Sequence, residues 1–307
     1  MTNAEVLKLT PHEQFLFWIK ERHAIYVKRS KGLPKPWTTN EALQSYFFTN
    51  PYRENDKVTV WFKDNYREPS KSSSQVLMGT VIFRWFNLPA TGELLLHNDL
   101  LDNWSEGKAI HVLREASKNG TVPVFTGAYM IKAGNGEPGI KIPSVCAAIT
   151  NVWKQQQRLI NVAREKQTLQ DLWRELTMFN HLGPFMSYEI VCDLRYTDLL
   201  KNAKDVNTWA NPGPGALRGL LRMSGGTIPM NNRGGPKRAV TVKNPLDKMI
   251  KLLHWLWDVM PKDMPRFELR EVEHSACEFD KMCRALDIMT KGPSSGKMKR
   301  TYNGKGN

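Results

Sequence analysis

The segment His181–Leu194, HLGPFMSYEIVCDL, has the form of a short glycine-containing turn that opens a helix. The preceding stretch, TLQDLWRELTMF at 168–179, has apolar residues at helical spacing, so the two together predict a helix, a hairpin and a second helix. Such a turn lets backbone N–H groups at a helix N-terminus approach a DNA phosphate. The segment therefore predicts a helical protein that handles DNA.

Asp205 follows Gly183 of this hairpin by 22 residues. That spacing resembles the hairpin-to-aspartate spacing of helix-hairpin-helix DNA glycosylases, which makes Asp205 a candidate catalytic carboxylate. Glycosylases that also cleave the backbone use a hairpin lysine as nucleophile, whereas Phe185 and Met186 follow this turn, so we do not expect a Schiff-base lyase. The alternative role for Asp205 is to cap the turn that follows it.

Glu189 and Asp193 are four residues apart in the second predicted helix and therefore share a face. Two carboxylates beside an apolar stripe can act as a general base and a charge stabiliser, or hold a cation. The alternative is that they pair with Arg22, Arg29 or Arg195.

The stretch Asp205–Arg222, DVNTWANPGPGALRGLLR, interrupts the helical pattern with two prolines and three glycines. A helix is predicted to resume at Ala216–Met223, with Arg218 and Arg222 one turn apart on one face. A glycine-rich turn, a helix N-terminus and two guanidinium groups suit a phosphate or pyrophosphate. A plain loop with solvated arginines is the alternative.

Arg22 and Arg29 lie on the apolar stripe of a predicted helix, EQFLFWIKERHAIYVKR at 13–29. A buried arginine needs an acid, a carbonyl or an anionic ligand. We therefore expect these two arginines to line one anionic pocket with Arg218 and Arg222, or to form buried ion pairs.

The rest of the chain also reads as helices, so the predicted fold class is mainly α. We expect a single helical catalytic domain over residues 1–290, with possible sub-lobes at about 1–175 and 176–290, and a basic disordered tail at 291–307.

The net charge is +14, of which the tail contributes five lysines and arginines and no acid. Excess positive charge favours polyanions through counterion release, so nucleic acid is the leading partner. The basic loop SGGTIPMNNRGGPKRAVTVK at 224–243 supplies Arg233, Lys237 and Arg238 as candidate DNA contacts.

Several functional classes are not supported by the sequence. No run of about 18 apolar residues suggests a membrane span, and the N-terminus does not read as a signal peptide. The four cysteines lack the paired spacing of a zinc site. No P-loop is recognisable, which argues against a kinase.

Eight motifs occur together and in order: ERHAIYVKR, GLPKPWT, YRENDKVTVW, FRWFN, TGAYM, LGPFMSYEIVCDL, WANPGPGALRGL and CEFDKMCR. From about Phe15 to Arg284 they resemble a phage DNA-hypermodification family. The family is similar to the helical part of 5-hydroxymethyluracil DNA kinases and includes the α-glutamyl/putrescinyl-thymine pyrophosphorylases, or amino acid:DNA transferases. Because no P-loop domain is recognisable, the resemblance points to the transferase branch.

The resemblance implies a glycosylase-like helical fold acting on double-stranded DNA in the cytoplasm of an infected bacterium. An amino acid or polyamine would displace pyrophosphate from 5-(pyrophosphoryloxymethyl)uracil. No cofactor is identified, no metal-ligand spacing stands out, and Mg²⁺ is possible. The CEFDK match adds Lys281 to the pyrophosphate-binding candidates Arg22, Arg29, Arg218 and Arg222. Candidates for the base pocket or DNA contacts are Tyr129, Phe185, Trp209, Gly213, Gly215, Arg233, Lys237 and Arg238.

Two other functions remain open at this point. A DNA glycosylase would release a free modified base, whereas a non-catalytic DNA-binding subunit of a modification complex would bind DNA without turnover.

Overall fold

The computed structural model describes residues 1–69, 71–118, 123–127, 129, 139–229, 231, 237, 239–292 and 298. Over these residues the chain is mainly helical, with no strand, which confirms the predicted class. The glycosylase-like architecture stays a prediction. None of the described helices is long and apolar enough to cross a membrane.

The chain forms two compact units, which divide at Asp56 and Val206. Unit 1 combines the two ends of the chain, Met1–Asp56 and Asn207–Asn307, and unit 2 is the central segment Lys57–Val206. This division differs from the expected sub-lobes at 1–175 and 176–290, because the N-terminal helices pack with the C-terminal ones. Within the predicted tail, residues 293–297 and 299–307 lie outside the described residues.

Unit 1 contains seven of the described helices, one of them a short 3₁₀ turn. They are α1 Asn3–Val6, α2 Pro11–Ser30, α3 Glu41–Ser45, the 3₁₀ turn Arg53–Asn55, α12 Pro214–Met223, α13 Pro245–Val259 and α14 Leu269–Lys291. The long helix α2 begins with a capping box, in which Thr10 accepts a hydrogen bond from the N–H of Glu13.

Unit 2 is built around one helix that is buried on all sides, as its apolar sequence predicts. Its helices are α4 Lys57–Phe62, a π-helical turn Lys63–Arg67, α5 Ser73–Phe86, α6 Pro89–His97, α7 Glu106–Lys118, α8 Lys141–Lys154, α9 Gln156–Lys166, α10 Leu169–Thr177 and α11 Pro184–Leu194. Every residue of α5 from Val76 to Phe86 is buried, and α8, α9 and α11 pack against it. The helix ends at Asn87 in the left-handed conformation, two residues before Pro89.

The closest helix contact of unit 1 joins α12 to α14. A Cβ added at Gly219 would lie 2.0 Å from the carbonyl oxygen of Ala276, and one added at Gly215 would lie 2.2 Å from Sγ of Cys277. The glycines of this helix therefore permit two backbones to approach each other.

Replacing Gly219 by alanine is expected to lower the free energy of unfolding of unit 1 by about 2 kcal/mol, because the added methyl overpacks a backbone contact. Gly107 in α7 has no atom within 4 Å of an added Cβ and serves as the control. The Gly107→Ala variant should be as stable as the wild type or more stable. Urea unfolding measures both, and equal effects of the two changes would contradict the packing role.

Candidate functional site

The segment for which the sequence predicts a helix, a hairpin and a second helix forms α10, the turn 178–183 and α11 in unit 2. Gly183 occupies the N-cap of α11 with an extended backbone, and Pro184 begins the helix. Two large apolar side chains flank the turn in solvent, Met178 at 72% and Phe185 at 48% exposure. The N-terminus of α11 is therefore open to a ligand.

Asp205 caps α10 with both of its carboxylate oxygens. They accept hydrogen bonds from the N–H groups of Leu169, at 2.7 Å, and Gln170, at 2.9 Å, while Thr168 accepts from the N–H of Asp171. These are N–H groups that lack an acceptor inside the helix. Asp205 is therefore a helix cap, but it caps α10, which precedes it in the sequence, and not the turn that follows it. This engaged carboxylate argues against the catalytic role expected for Asp205.

Asp205→Asn should keep near-wild-type turnover and lower the free energy of unfolding by about 1 kcal/mol, because the amide retains one acceptor oxygen and loses the other. Asp205→Ala, which removes both, should cost more. Turnover and urea unfolding of the two variants test this. A loss of activity by Asp205→Asn at unchanged stability and DNA affinity would restore the catalytic reading.

Asp193 is fully buried and forms a two-point ion pair with Arg84. Arg84 Nη2 donates to Oδ1 at 2.9 Å and Arg84 Nε donates to Oδ2. Arg84 also donates to Asn87 and to Thr59. A carboxylate enclosed in this way does not reach a substrate, so the expected catalytic role of Asp193 is replaced by a structural one. Arg84 was not among the arginines that the sequence suggested as partners of Asp193.

Three other candidates of unit 2 do come together beside the hairpin. The hydroxyl of Tyr129 donates to Oε2 of Glu189 at 2.7 Å, and its ring meets that of Phe185 edge-on with centroids 4.9 Å apart. Glu189 and Tyr129 are both half-buried. Among the three candidate carboxylates, Glu189 alone remains in reach of solvent.

The glycine-rich corner of unit 1 is used for packing. The N–H of Gly213 donates to Oε1 of Glu273 at 3.0 Å, Gly215 abuts Cys277, and the side chain of Trp209 is buried. Gly213 and Gly215 thus contact α14 and Trp209 is buried, in place of the ligand-binding roles expected for them.

Arg218 and Arg222 share one buried carboxylate on α14. Arg218 Nε lies 2.8 Å from Oδ2 of Asp280, Arg222 Nε lies 2.9 Å from Oδ1, and Arg284 Nε approaches Oδ2 at 3.3 Å. Three guanidinium groups thus surround this carboxylate, and Nη1 of Arg222 also lies 3.8 Å from Oδ2 of Asp287.

Arg22 and Arg29 line a cavity of about 180 Å³ within unit 1. Arg22 is 9% exposed, its Nε donates to the carbonyl of Phe48 at 3.1 Å, and its Nη1 is buried without a hydrogen-bond partner among the described residues. No carboxylate of that part of the chain forms an ion pair with it. Burial lowers the pKa of Arg22 to about 10, so the side chain is still cationic at neutral pH.

The cavity wall combines cations with aromatic rings. Arg29 is exposed at the wall, and no described residue forms an ion pair with it. The other lining residues of this kind are Lys35, Trp37, Tyr46, Phe47 and Phe48. Rings suit the flat face of a base and cations suit an anionic substituent. The cavity thus has the chemistry for a base that carries phosphate groups.

Lys281 lies near two rings of the same aromatic wall. Its Nζ lies 4.9 Å from the ring centre of Phe48 and 5.5 Å from that of Phe47. Lys281 also donates to Glu278 at 3.3 Å, and Glu278 accepts from the N–H of Thr49 at 3.0 Å. Glu278 therefore links Lys281 to the segment that forms the cavity wall.

The pKa of the Glu278 carboxyl is lower than usual: burial raises it, but Lys281, His274 and the N–H of Thr49 together outweigh burial. A carboxyl with a lowered folded pKa stabilises the fold above its unfolded pKa, and this contribution is lost as the pH falls through the folded pKa. We therefore expect unfolding free energy to fall below about pH 4.5 in the wild type, and to fall less in Glu278→Gln. Urea unfolding across pH 3–6 measures the two slopes, and parallel curves would contradict this.

The four arginines expected to share one anionic pocket are not gathered into one cavity. Arg222 lines a second cavity of unit 1, of about 220 Å³, together with Gly225, Gly226 and Asp287. Arg22 and Arg29 line the first one. The expected common pocket of all four arginines is thus replaced by an Arg22–Arg29 cavity and a separate cluster around Asp280.

Of the basic-loop candidates, Arg233 and Arg238 lie outside the described residues. Lys237 is exposed, and its N–H donates to the carbonyl of Pro229 at 2.8 Å. The described residues contain no group of three or more His, Cys, Asp and Glu placed to hold a metal ion.

Sequence reasoning missed the aromatic wall of the first cavity. Lys35 and Trp37 belong to GLPKPWT, and Tyr46, Phe47 and Phe48 belong to the run SYFF. The signal was a run of aromatic residues at the end of the short helix α3, which follows the proline-rich turn. Its proximity to Arg22 depends on the fold.

A family model and a phage protein match this chain. The model of the family described as "5-hmdU DNA kinase, helical domain" matches residues 10–291. A 5-hmdU DNA kinase of Bacillus phage SP10 is 27% identical over 227 residues, which cover 68% of this chain and 35% of that protein. The chain thus matches about a third of the length of this relative. No solved structure gives a significant match.

Proposed function

Because the chain belongs to the family of the helical domain of 5-hmdU DNA kinases, we propose that it takes part in the hypermodification of thymine in phage DNA. The substrate is DNA that carries a 5-hydroxymethyluracil derivative. The place of action is the cytoplasm of the infected bacterium.

The reaction we propose is a transfer in which an amine replaces pyrophosphate on 5-(pyrophosphoryloxymethyl)uracil in DNA. The cavity with Arg22 and Arg29 carries this proposal, since cations and aromatic rings meet there. The buried guanidinium of Arg22 has a hydrogen-bonding nitrogen to offer to an anion. A base turned out of the duplex would place its ring on the wall and its charged group at the arginines.

The transfer forms one bond, breaks one bond and moves one proton. The amine, from an amino acid or a polyamine, gives its lone pair to the exocyclic methylene carbon. The bond from that carbon to the pyrophosphate oxygen breaks, and pyrophosphate leaves with the electron pair. Cationic side chains stabilise the charge that grows on the leaving group. A base takes the proton that the nitrogen releases.

Of the three carboxylates that the sequence suggested, Glu189 remains the candidate for this base, since Asp193 and Asp205 are held in structural contacts of unit 2. Its hydrogen bond from Tyr129 holds one oxygen in place. Mg²⁺ can bind through pyrophosphate oxygens with few protein ligands and remains part of the proposal.

The test is to incubate the protein with duplex DNA containing 5-(pyrophosphoryloxymethyl)uracil and with glycine, serine, glutamate or putrescine, with and without Mg²⁺. We expect release of pyrophosphate and a new nucleoside mass with one of these amines. The absence of product with every amine would refute the transfer.

The same assay separates the two alternatives. Free base in the supernatant would indicate a glycosylase, and the engaged state of Asp205 argues against that outcome. DNA binding without any product would indicate a binding subunit.

A further inference from the structure

A third cavity of unit 1, of about 360 Å³, lies between the start of α2, the end of α12 and the first half of α13. Its polar lining comes from His12, Ser224, Lys248, Lys251 and Trp255. The other lining residues are apolar and belong to α12 and α13. None of the candidate site residues discussed above lines it.

Three of the lining residues form a stripe along α13. Lys248, Lys251 and Trp255 follow each other at spacings of three and four, so they lie on one face of the helix. The Nζ of Lys248 donates to Oγ of Ser224 at 3.2 Å. Lys251 is exposed. Two cations thus stand about one turn apart beside a half-buried indole.

Basic residues outnumber acidic ones on this part of the chain. Among the described residues that line the cavity, none is acidic. The segment 224–246, which leads into α13, contains four lysines and arginines and no acidic residue. The first turn of α13 carries one acidic residue, Asp247, next to Lys248 in the sequence.

Two aromatic rings lie together in the lining of this third cavity, which we call the groove. The rings of His12 and Trp255 meet edge-on with centroids 5.4 Å apart. An indole next to ammonium groups offers apolar contact to a sugar or base, while the lysines meet phosphate oxygens.

We propose that this groove binds the phosphodiester backbone of a DNA strand, with Lys248 and Lys251 on successive phosphates and Trp255 against the sugar or base between them. This inference rests on the proposed function only in taking DNA as the substrate. The groove holds the strand, whereas the Arg22–Arg29 cavity receives the modified base.

The test is binding of an unmodified, fluorescently labelled DNA duplex at several salt concentrations. Each lost phosphate contact should reduce the slope of log affinity against log salt by about 0.9. The double variant Lys248→Gln/Lys251→Gln should therefore lose about 2 units of slope and about tenfold or more in affinity at 150 mM salt. Trp255→Leu should weaken binding and leave the slope unchanged.

The control is Lys20→Gln/Lys262→Gln, which removes the same charge from two exposed positions of unit 1 outside the groove. It should keep the wild-type slope. Equal losses in both double variants, an unchanged slope in the groove variant, or no DNA binding by the wild type would each overturn the proposal. If the wild type binds DNA but releases no pyrophosphate, the proposed transfer reaction is refuted. The comparison of the two double variants still tests whether the groove binds DNA.

Discussion

Replacing Arg22 by glutamine lowers the rate of pyrophosphate release by about 100-fold or more, if the cavity stabilises the leaving group as we propose. Arg22 is the buried cation of the cavity, and its Nη1 has no hydrogen-bond partner among the described residues. A donor that is fixed and shielded from water acts more strongly on a growing charge than one in solvent. Steady-state kinetics with the modified duplex measure the loss in kcat.

Arg29→Gln is the companion variant, because Arg29 is exposed and its removal does not disturb the core. We expect it to raise KM more than it lowers kcat. Lys20→Gln, which removes an exposed charge from the same helix outside the cavity, is the control and should leave both constants unchanged. Calorimetric binding of inorganic pyrophosphate gives a second measurement. If Arg22→Gln binds pyrophosphate and turns over as the wild type does, the cavity is not the leaving-group site.

Replacing Arg84 by methionine is expected to lower the free energy of unfolding of unit 2 by about 3–5 kcal/mol. The change leaves the Asp193 carboxylate in the core without its charged partner, and Asp193 is 0% exposed. It also removes the donors to Asn87 and Thr59. Urea unfolding of the purified variant, followed by circular dichroism, measures the cost.

The double variant Arg84→Met/Asp193→Leu should recover part of the lost stability, since no charge is then left unpaired. Arg174→Met is the matched control, because Arg174 pairs with Asp171 at the surface of the same unit, and it should cost less than about 1 kcal/mol. Equal costs for Arg84→Met and Arg174→Met would show that the buried pair does not hold unit 2 together. Retention of pyrophosphate release by the double variant would separate the stabilising role of Asp193 from a role in catalysis.

The sequence alone determined the local structure well. Helical periodicity, the Gly183–Pro184 turn and the glycine-rich corner before α12 predicted where helices begin, and α11 and α12 start within two residues of those positions. These signals are local, because a helix depends on side-chain spacing and on the few residues at its ends. The burial of Arg22 was also foreseen, since that residue lies on an apolar stripe, whereas Arg29 on the same predicted stripe is exposed.

Only the tertiary structure decided what the charged residues contact. Asp205 reaches Leu169 across 36 positions, Asp193 reaches Arg84 across 109, and Arg22 reaches Phe48 across 26. The chain offers many carboxylates and cations of equal chemistry, and no local pattern distinguishes a cap from a base or a core ion pair. Which of them meet depends on how helices that are distant in sequence pack, and the free energy of that packing is spread over the apolar core.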